Sequence, residues 1–197
     1  MSKDTLSIRR TNGGVGAFVE NVDLSTGLNP SFVTKITEAL GEHGVLFFRD
    51  QKLEPEAHQS FAEKMGKINV NRFFQAVDGH PQIAEVRKEP DQKYAIGEGW
   101  HTDHSYDQIP ALGSILLAKE LPNHGGDTMF ANMYLAYDAL SDGLKEVLDL
   151  KRSWMAYKLN IPLAIGLAKH HFWEQTKKIP AVASVMRRKQ RRMQYTQ

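Results

Sequence analysis

The stretch from residue 29 to residue 50 joins a capped helix directly to a short apolar strand. In NPSFVTKITEALGEHG (29–44), Asn29 can cap a helix and Pro30 suits its first turn. Gly44 can end that helix in a left-handed conformation. VLFFRD (45–50) follows without a linker and is best explained as a short buried strand. A fold containing this unit must combine helices with a sheet.

The remainder of the chain predicts one more early helix, several strands and two late helices. The second helix runs from about Pro55 to Met65, and Gly66 ends it. Short strands are predicted at the end of 13–24 and over 82–88, 113–119 and 127–132. Two short helices, Leu135–Leu140 and Asp142–Leu148, are separated by Ser141, a plausible cap. This order predicts an α+β fold with a mainly antiparallel sheet or barrel.

The composition limits what kind of site the chain can hold. Its 197 residues include no cysteine, so any metal must be bound by His, Asp, Glu or backbone oxygen. There is no run of 18 apolar residues, which argues against a membrane span. The N-terminus, MSKDTLSIRR, has no apolar core of a secretory signal, and we expect a cytoplasmic protein.

Charge is distributed unevenly along the chain. Residues 151–197 contain 11 Lys and Arg but one acid, Glu174, whereas residues 1–150 contain 14 basic and 22 acidic residues. Such asymmetry is typical of a basic tail that meets nucleic acid or a membrane. It would also arise if the end of the reading frame had not evolved with the rest.

His101 and Asp103 in GEGWHTDHSYDQIP (97–110) form a candidate metal site. Side chains two positions apart on an extended segment share a face, so both groups could reach one ion. Two histidines and one carboxylate are the ligand set of non-haem Fe(II) oxygenases. His-x-Asp is nevertheless a short motif, and a polar surface loop is the alternative explanation.

Several ordered motifs resemble one known family over about residues 6–150. They are Val-Asp-Leu at 22–24, Gly-Val-Leu-Phe-Phe-Arg-Asp-Gln at 44–51, Trp-His-Thr-Asp at 100–103, Ala-Lys-Glu-Leu-Pro at 118–122, Gly-Gly-Asp-Thr at 125–128 and Ala-Tyr-Asp-Ala-Leu at 136–140. The family is that of taurine dioxygenase and the 2,4-dichlorophenoxyacetate dioxygenases. Its members are Fe(II)/2-oxoglutarate-dependent oxygenases.

The resemblance implies a fold, a reaction and a set of site residues. The implied fold is a double-stranded β-helix (jelly-roll) core with flanking helices. The implied reaction oxidises a small organic substrate with O₂ and decarboxylates 2-oxoglutarate to succinate. The resemblance implies that His101 and Asp103 are iron ligands. It also implies that the hydroxyl of Thr128 helps to hold a 2-oxoglutarate carboxylate. The alternative is that Thr128 is an ordinary residue at the start of a strand and does not bind 2-oxoglutarate.

The same resemblance places Asn71 and Phe74 at substrate-binding positions, in the loop after the second helix. Gly97 stands where taurine enzymes carry an asparagine, and these differences argue against taurine itself. Arg72 could meet an anionic substrate, although an exposed Arg is more often only solvated. Phe73 and Phe74 favour a more apolar or aromatic substrate, with a place in the core as the alternative.

The resemblance is lost near residue 150. The family's second His ligand and its 2-oxoglutarate-binding Arg lie far downstream, and no residue in 151–197 matches either one. We therefore expect an incomplete jelly-roll domain over 1–150 and an atypical basic tail over 151–197, produced by a frameshift or truncation. Activity would then be impaired.

Two alternatives to an active enzyme follow from this tail. The chain could be a non-catalytic homologue that keeps the first half of the fold as an interaction module. Unpaired strand edges would favour a homo-oligomer. The basic cluster VMRRKQRRMQ (185–194) could bind nucleic acid, but without a recognised motif this is the weaker alternative.

Overall fold

A computed structural model describes residues 6–94, 99–101, 111–150, 184–187 and 192–196. The helices are α1 (Pro30–His43), α2 (Pro55–Met65), α3 (Met133–Asp138) and α4 (Asp142–Leu150). The strands are β1 (Ser7–Arg10), β2 (Ala17–Glu20), β3 (Leu46–Phe48), β4 (Ala76–Val77), β5 (His80–Arg87), β6 (Ile115–Glu120), β7 (Thr128–Ala131), β8 (Ser184–Arg187) and β9 (Arg192–Thr196). The predicted α+β class is confirmed.

Local sequence signals account for the first helix. The Asn29 side chain accepts a hydrogen bond from the Phe32 backbone N–H at 3.0 Å, and Pro30 occupies the first turn. Gly44 adopts a positive φ of 73°, and its N–H donates to the Leu40 carbonyl at 2.8 Å. These caps satisfy backbone groups that the ends of a helix would otherwise leave unpaired. The predicted bounds of α1 are thereby confirmed.

The strands form three sheets in the part of the chain that the structure describes. β1, β2 and β3 form the first in that order, and β7 and β8 form a two-stranded sheet. The other sheet has the order β4-β5-β9-β6. Only β2 and β3 pair in parallel, so the expectation of mainly antiparallel pairing is confirmed for these strands.

Strand β9 lies between β5 and β6 and pairs with both. Ala84 of β5 and Leu116 of β6 are both opposite Tyr195 in the register. β8 pairs with β7 in the same antiparallel manner, with Thr128 opposite Arg187. Two segments of the basic tail therefore belong to sheets whose other strands come from the first 150 residues.

The hydrophobic core lies where α1 and α2 cover the sheets. Its buried members are Leu24, Ile36, Leu53 and Phe61. The Phe61 ring meets Phe48 of β3 edge-on, with ring centres 6.1 Å apart. Such an aromatic pair adds about 1 kcal/mol to the free energy gained by burying the rings. Among the helices of the described residues, none is long and apolar enough to cross a membrane.

Four strand predictions were close and several elements were not foreseen. β3, β5, β6 and β7 begin and end within two residues of the predicted 45–50, 82–88, 113–119 and 127–132. α3 begins two residues earlier than predicted because the Asn132 side chain caps it, accepting from the Tyr134 and Leu135 N–H groups. β1, β4, β8 and β9 were not predicted, because short polar strands carry little periodic signal and depend on distant partners.

His58 connects α2 to β6 through the Ile115 backbone and is a titratable group of the interior. Its side chain is fully buried. Burial is the main reason that the pKa of His58 falls to about 4, and nearby Lys119 lowers it too, while a hydrogen bond with the Ile115 backbone opposes the shift. The folded protein therefore holds this imidazole in its neutral form at neutral pH.

We expect the free energy of unfolding to fall as the pH drops from about 6.5 to about 4. In that range the unfolded chain binds a proton at His58 that the folded chain does not, and the full loss is about 3 kcal/mol. Urea unfolding of wild type and His58→Gln at pH 7, 5.5 and 4.5 measures this difference. The exposed His124→Gln serves as the control. Parallel pH profiles for wild type and His58→Gln would contradict the prediction.

Candidate functional site

His101 lies between β5 and β6, in a stretch that we call the site segment (88–114). The described part around it is residues 99–101, where His101 is partly buried and forms an isolated strand bridge. Its Nδ1 is 2.8 Å from the Gly99 carbonyl oxygen. A carbonyl can only accept, so Nδ1 must be the protonated donor in this contact.

The hydrogen bond to the Gly99 carbonyl gives His101 the tautomer that a metal-binding imidazole needs. With the proton on Nδ1, the lone pair lies on Nε2, and metal-binding imidazoles commonly donate their other N–H to a carbonyl or carboxylate. His101 therefore fits a metal site. Asp103, its predicted partner, lies outside the described residues, as does Gly97. Within the described residues, no three His, Asp or Glu side chains are grouped so that they could hold a metal ion.

Thr128 is the first residue of β7 and is partly buried. Two glycines with positive φ, Gly125 at 72° and Gly126 at 82°, precede it, and that conformation favours glycine. The glycines of the Gly-Gly-Asp-Thr motif therefore adopt a backbone conformation that other residues rarely take, just before the chain enters β7. His101 and Thr128 lie on separate elements, one in the site segment and the other beyond β6.

The loop between α2 and β4 contains the predicted substrate residues, and it is folded by Asn71. The Asn71 Oδ1 accepts hydrogen bonds from the backbone N–H groups of Phe73 at 2.8 Å and Phe74 at 3.1 Å. Such a side-chain turn replaces a backbone turn. Phe74 is partly buried, whereas Phe73 is 66% exposed and Arg72 is exposed as well. A core location, the alternative considered for both rings, therefore does not hold for Phe73.

A surface pocket of about 460 Å³ lies elsewhere, at the ends of β2 and β3. Arg9 and Arg49 are 4.7 and 5.5 Å from the Phe18 ring centre, and Glu20 forms an ion pair with Arg9. Of the predicted site residues that the structure describes, none lines this pocket. Its charged groups are exposed and of both signs, so the pocket does not concentrate charge of one sign. The candidate site therefore remains the region around His101.

Sequence reasoning missed two features of the site. One is the Gly99 carbonyl that orients His101, and the other is the local role of the Asn71 side chain. An asparagine two residues before an aromatic pair is a weak turn signal. A backbone acceptor such as the Gly99 carbonyl leaves no signal in the sequence.

Comparison with known protein families finds one family model that matches the chain. It is described as taurine catabolism dioxygenase TauD, TfdA family, and it matches residues 7–190. The match includes every predicted site residue and continues 40 residues past position 150, where the motif-based resemblance was lost.

Two curated proteins are similar to the chain over about three quarters of its length. An alkylsulfatase of Acinetobacter baylyi is 38% identical over 143 residues, which are 72% of this chain and 44% of that protein. An alpha-ketoglutarate-dependent sulfate ester dioxygenase of Pseudomonas putida is 32% identical over 145 residues, or 73% of this chain and 47% of that protein. The chain spans about half the length of these curated relatives.

A solved structure has the same fold. The crystal structure of a taurine dioxygenase from Burkholderia xenovorans superposes with a TM-score of 0.71 and covers 97% of this chain and 88% of that one. The two sequences are 24% identical, so this likeness concerns the fold alone.

In its neutral form, His101 is expected to carry its proton on Nδ1, because the Gly99 carbonyl accepts from that atom. Long-range ¹H–¹⁵N correlation NMR distinguishes the two tautomers, and His101→Gln identifies the signals by removing them. Gly99 cannot be tested by a side-chain change because its carbonyl belongs to the backbone. A neutral His101 protonated on Nε2 would contradict the predicted orientation.

Proposed function

Because the chain belongs to the TauD/TfdA family of dioxygenases, we propose that it binds Fe(II) and oxidises a small organic substrate with O₂ and 2-oxoglutarate. The observation that carries this proposal is the family match over residues 7–190. It is supported by the orientation of His101, whose Nδ1 donates to the Gly99 carbonyl as the second nitrogen of a metal-binding imidazole commonly does.

The proposed site uses three residues that the sequence singled out. His101 and Asp103 hold the iron, and Thr128 donates its hydroxyl hydrogen bond to a carboxylate of 2-oxoglutarate. When bound, iron would activate O₂, which is the oxidant: one oxygen atom would enter the substrate and the other would enter succinate as 2-oxoglutarate is oxidised and loses CO₂. We assign no residue of this chain to the third ligand or to the arginine that the family uses for 2-oxoglutarate.

The protein's own contribution is to fix these groups and to limit access of water. His101 is held by the Gly99 carbonyl, so its ring need not be ordered when the metal binds. Thr128 begins a strand that is paired along its length, and Phe130 of that strand meets Phe47 with ring centres 6.0 Å apart. We propose that these elements form part of a jelly-roll core, consistent with the shared fold.

For the substrate we propose an organic sulfate ester. Two relatives are an alkylsulfatase and a sulfate ester dioxygenase, and both are at least 32% identical to this chain. The exposed guanidinium of Arg72 is suited to an anionic head group, and the exposed Phe73 ring to an apolar remainder. The departures from the taurine-binding pattern at Asn71, Phe74 and Gly97 agree with this choice.

Anaerobic addition of Fe(II) and 2-oxoglutarate should give the weak visible charge-transfer absorption of an iron chelate. His101→Ala should abolish it or weaken metal binding at least tenfold, because a ligand is lost. Succinate formation on admission of O₂, stimulated by an alkyl sulfate, measures turnover. The exposed His124→Ala is the matched control. If wild type gives neither absorption nor substrate-dependent succinate, this chain is not an active dioxygenase.

Thr128→Ala should raise the dissociation constant for 2-oxoglutarate roughly tenfold, since a hydrogen bond to an ionised group is worth about 1.5–3 kcal/mol. Thr128→Ser keeps the hydroxyl and should stay within about threefold of wild type. Titration of the iron-loaded protein, monitored by the visible absorption, measures both. Equal weakening by Ala and Ser would show that Thr128 acts through strand packing and not through its hydroxyl.

A further inference from the structure

The surface pocket at the ends of β2 and β3 contains an arginine whose charge is not paired with an acid. The guanidinium carbon of Arg49 lies 5.5 Å from the centre of the Phe18 ring. Among the residues that the structure describes, Arg49 forms no ion pair. A guanidinium that stacks on a ring through its face keeps its in-plane N–H groups available to an acceptor. Arg49 can therefore bind a carboxylate.

An acid without an ion pair lines the same pocket. Asp50 is exposed, and within the described part of the chain it pairs with neither Arg49 nor any other cation. Its backbone φ is 56°, and that of Asn21, which also lines the pocket, is 61°. Asn and Asp adopt this left-handed conformation more readily than other residues with a side chain. The chain therefore turns sharply after β2 and after β3, and both turns border the pocket.

Gln51 holds these two turns together. Its Nε2 donates to the carbonyl oxygens of Val22 at 3.0 Å and Arg49 at 2.9 Å, and its Oε1 accepts from the Leu24 N–H at 2.9 Å. These bonds join the segment that follows β2 to the segment that follows β3. The backbone around the pocket is thus ordered before a ligand arrives, which lowers the entropic cost of binding.

The charges and the apolar wall of the pocket define the kind of ligand that fits. Arg9 donates two hydrogen bonds to Glu20 and the two side chains neutralise each other, so Arg49 and Asp50 remain as one cation and one anion. Phe18 supplies an apolar surface between the two strand ends. A ligand with a single charge would be attracted by one of these groups and repelled by the other, whereas a ligand with both charges complements both.

We propose that this pocket binds a zwitterionic amino acid with an apolar side chain. The carboxylate of the ligand accepts from the Arg49 guanidinium, its ammonium donates to Asp50, and its side chain packs against Phe18. The pocket volume of about 460 Å³ is within the range of about 300–1,000 Å³ that is typical of small-molecule sites. This binding site uses neither His101 nor Thr128 and does not rest on the proposed function.

NMR titration of the whole chain at pH 7, without iron, tests the proposal with three related compounds. They are L-phenylalanine, 3-phenylpropionate, which lacks the ammonium, and phenethylamine, which lacks the carboxylate. We expect L-phenylalanine to bind about fivefold more tightly than either analogue, because an exposed charge contact contributes up to about that factor. The amide signals that shift should belong to residues 18–22 and 49–51.

Two substitutions separate the charge contacts. Arg49→Gln should weaken L-phenylalanine and 3-phenylpropionate about fivefold and should not weaken phenethylamine. Asp50→Asn keeps the left-handed turn, and it should weaken L-phenylalanine and phenethylamine but not 3-phenylpropionate. The matched controls Arg87→Gln and Asp78→Asn are exposed positions outside the pocket and should change none of the three affinities.

Two kinds of result would overturn the proposal. If L-phenylalanine fails to bind, binds no more tightly than its analogues or shifts amides elsewhere, the pocket does not recognise a zwitterion. If Arg49→Gln weakens L-phenylalanine and Asp50→Asn does not, the pocket takes simple anions instead. Neither result bears on the dioxygenase function, since iron and 2-oxoglutarate are absent from the measurement.

Discussion

The pairing of β9 with both β5 and β6 is the interaction on which the arrangement of the candidate site depends. The site segment, with His101, leaves the sheet at the end of β5 and returns to it at β6. Both strands are hydrogen-bonded to β9 and not to each other. Without β9, each of β5 and β6 would have an unpaired edge facing the other, and the two ends of the site segment would lose their common support.

A second set of contacts fixes α2 and, through it, the loop that contains Asn71. The buried His58 hydrogen-bonds the Ile115 backbone at the start of β6, and Lys119 of the same strand donates to the Leu53 carbonyl at 3.2 Å. Phe61 packs into the core from the next turn of the helix. The helix that leads into the loop of Asn71 and one end of the site segment are thus tied to the same strand, β6.

The third part of the site, β7 with Thr128, is anchored to the N-terminal sheet. Phe130 contacts Phe47 of β3, and the Asn132 amide donates to the Gly14 carbonyl at 3.1 Å. Residues that are more than 80 positions apart in sequence therefore support one short strand. Such long-range contacts hold β7, and with it Thr128, against the N-terminal sheet.

The sequence by itself determined the local elements and pointed to the candidate site residues. The caps at Asn29 and Gly44, the apolar strand after them, and the choice of His101, Asp103 and Thr128 all follow from neighbouring residues or from ordered motifs. Only the tertiary structure decided that β9 is a central strand, that Gly99 orients His101, and that Asn71 folds its own loop. A cap or a motif is formed by residues close in the chain, whereas strand pairing and backbone acceptors depend on contacts that composition and periodicity do not encode.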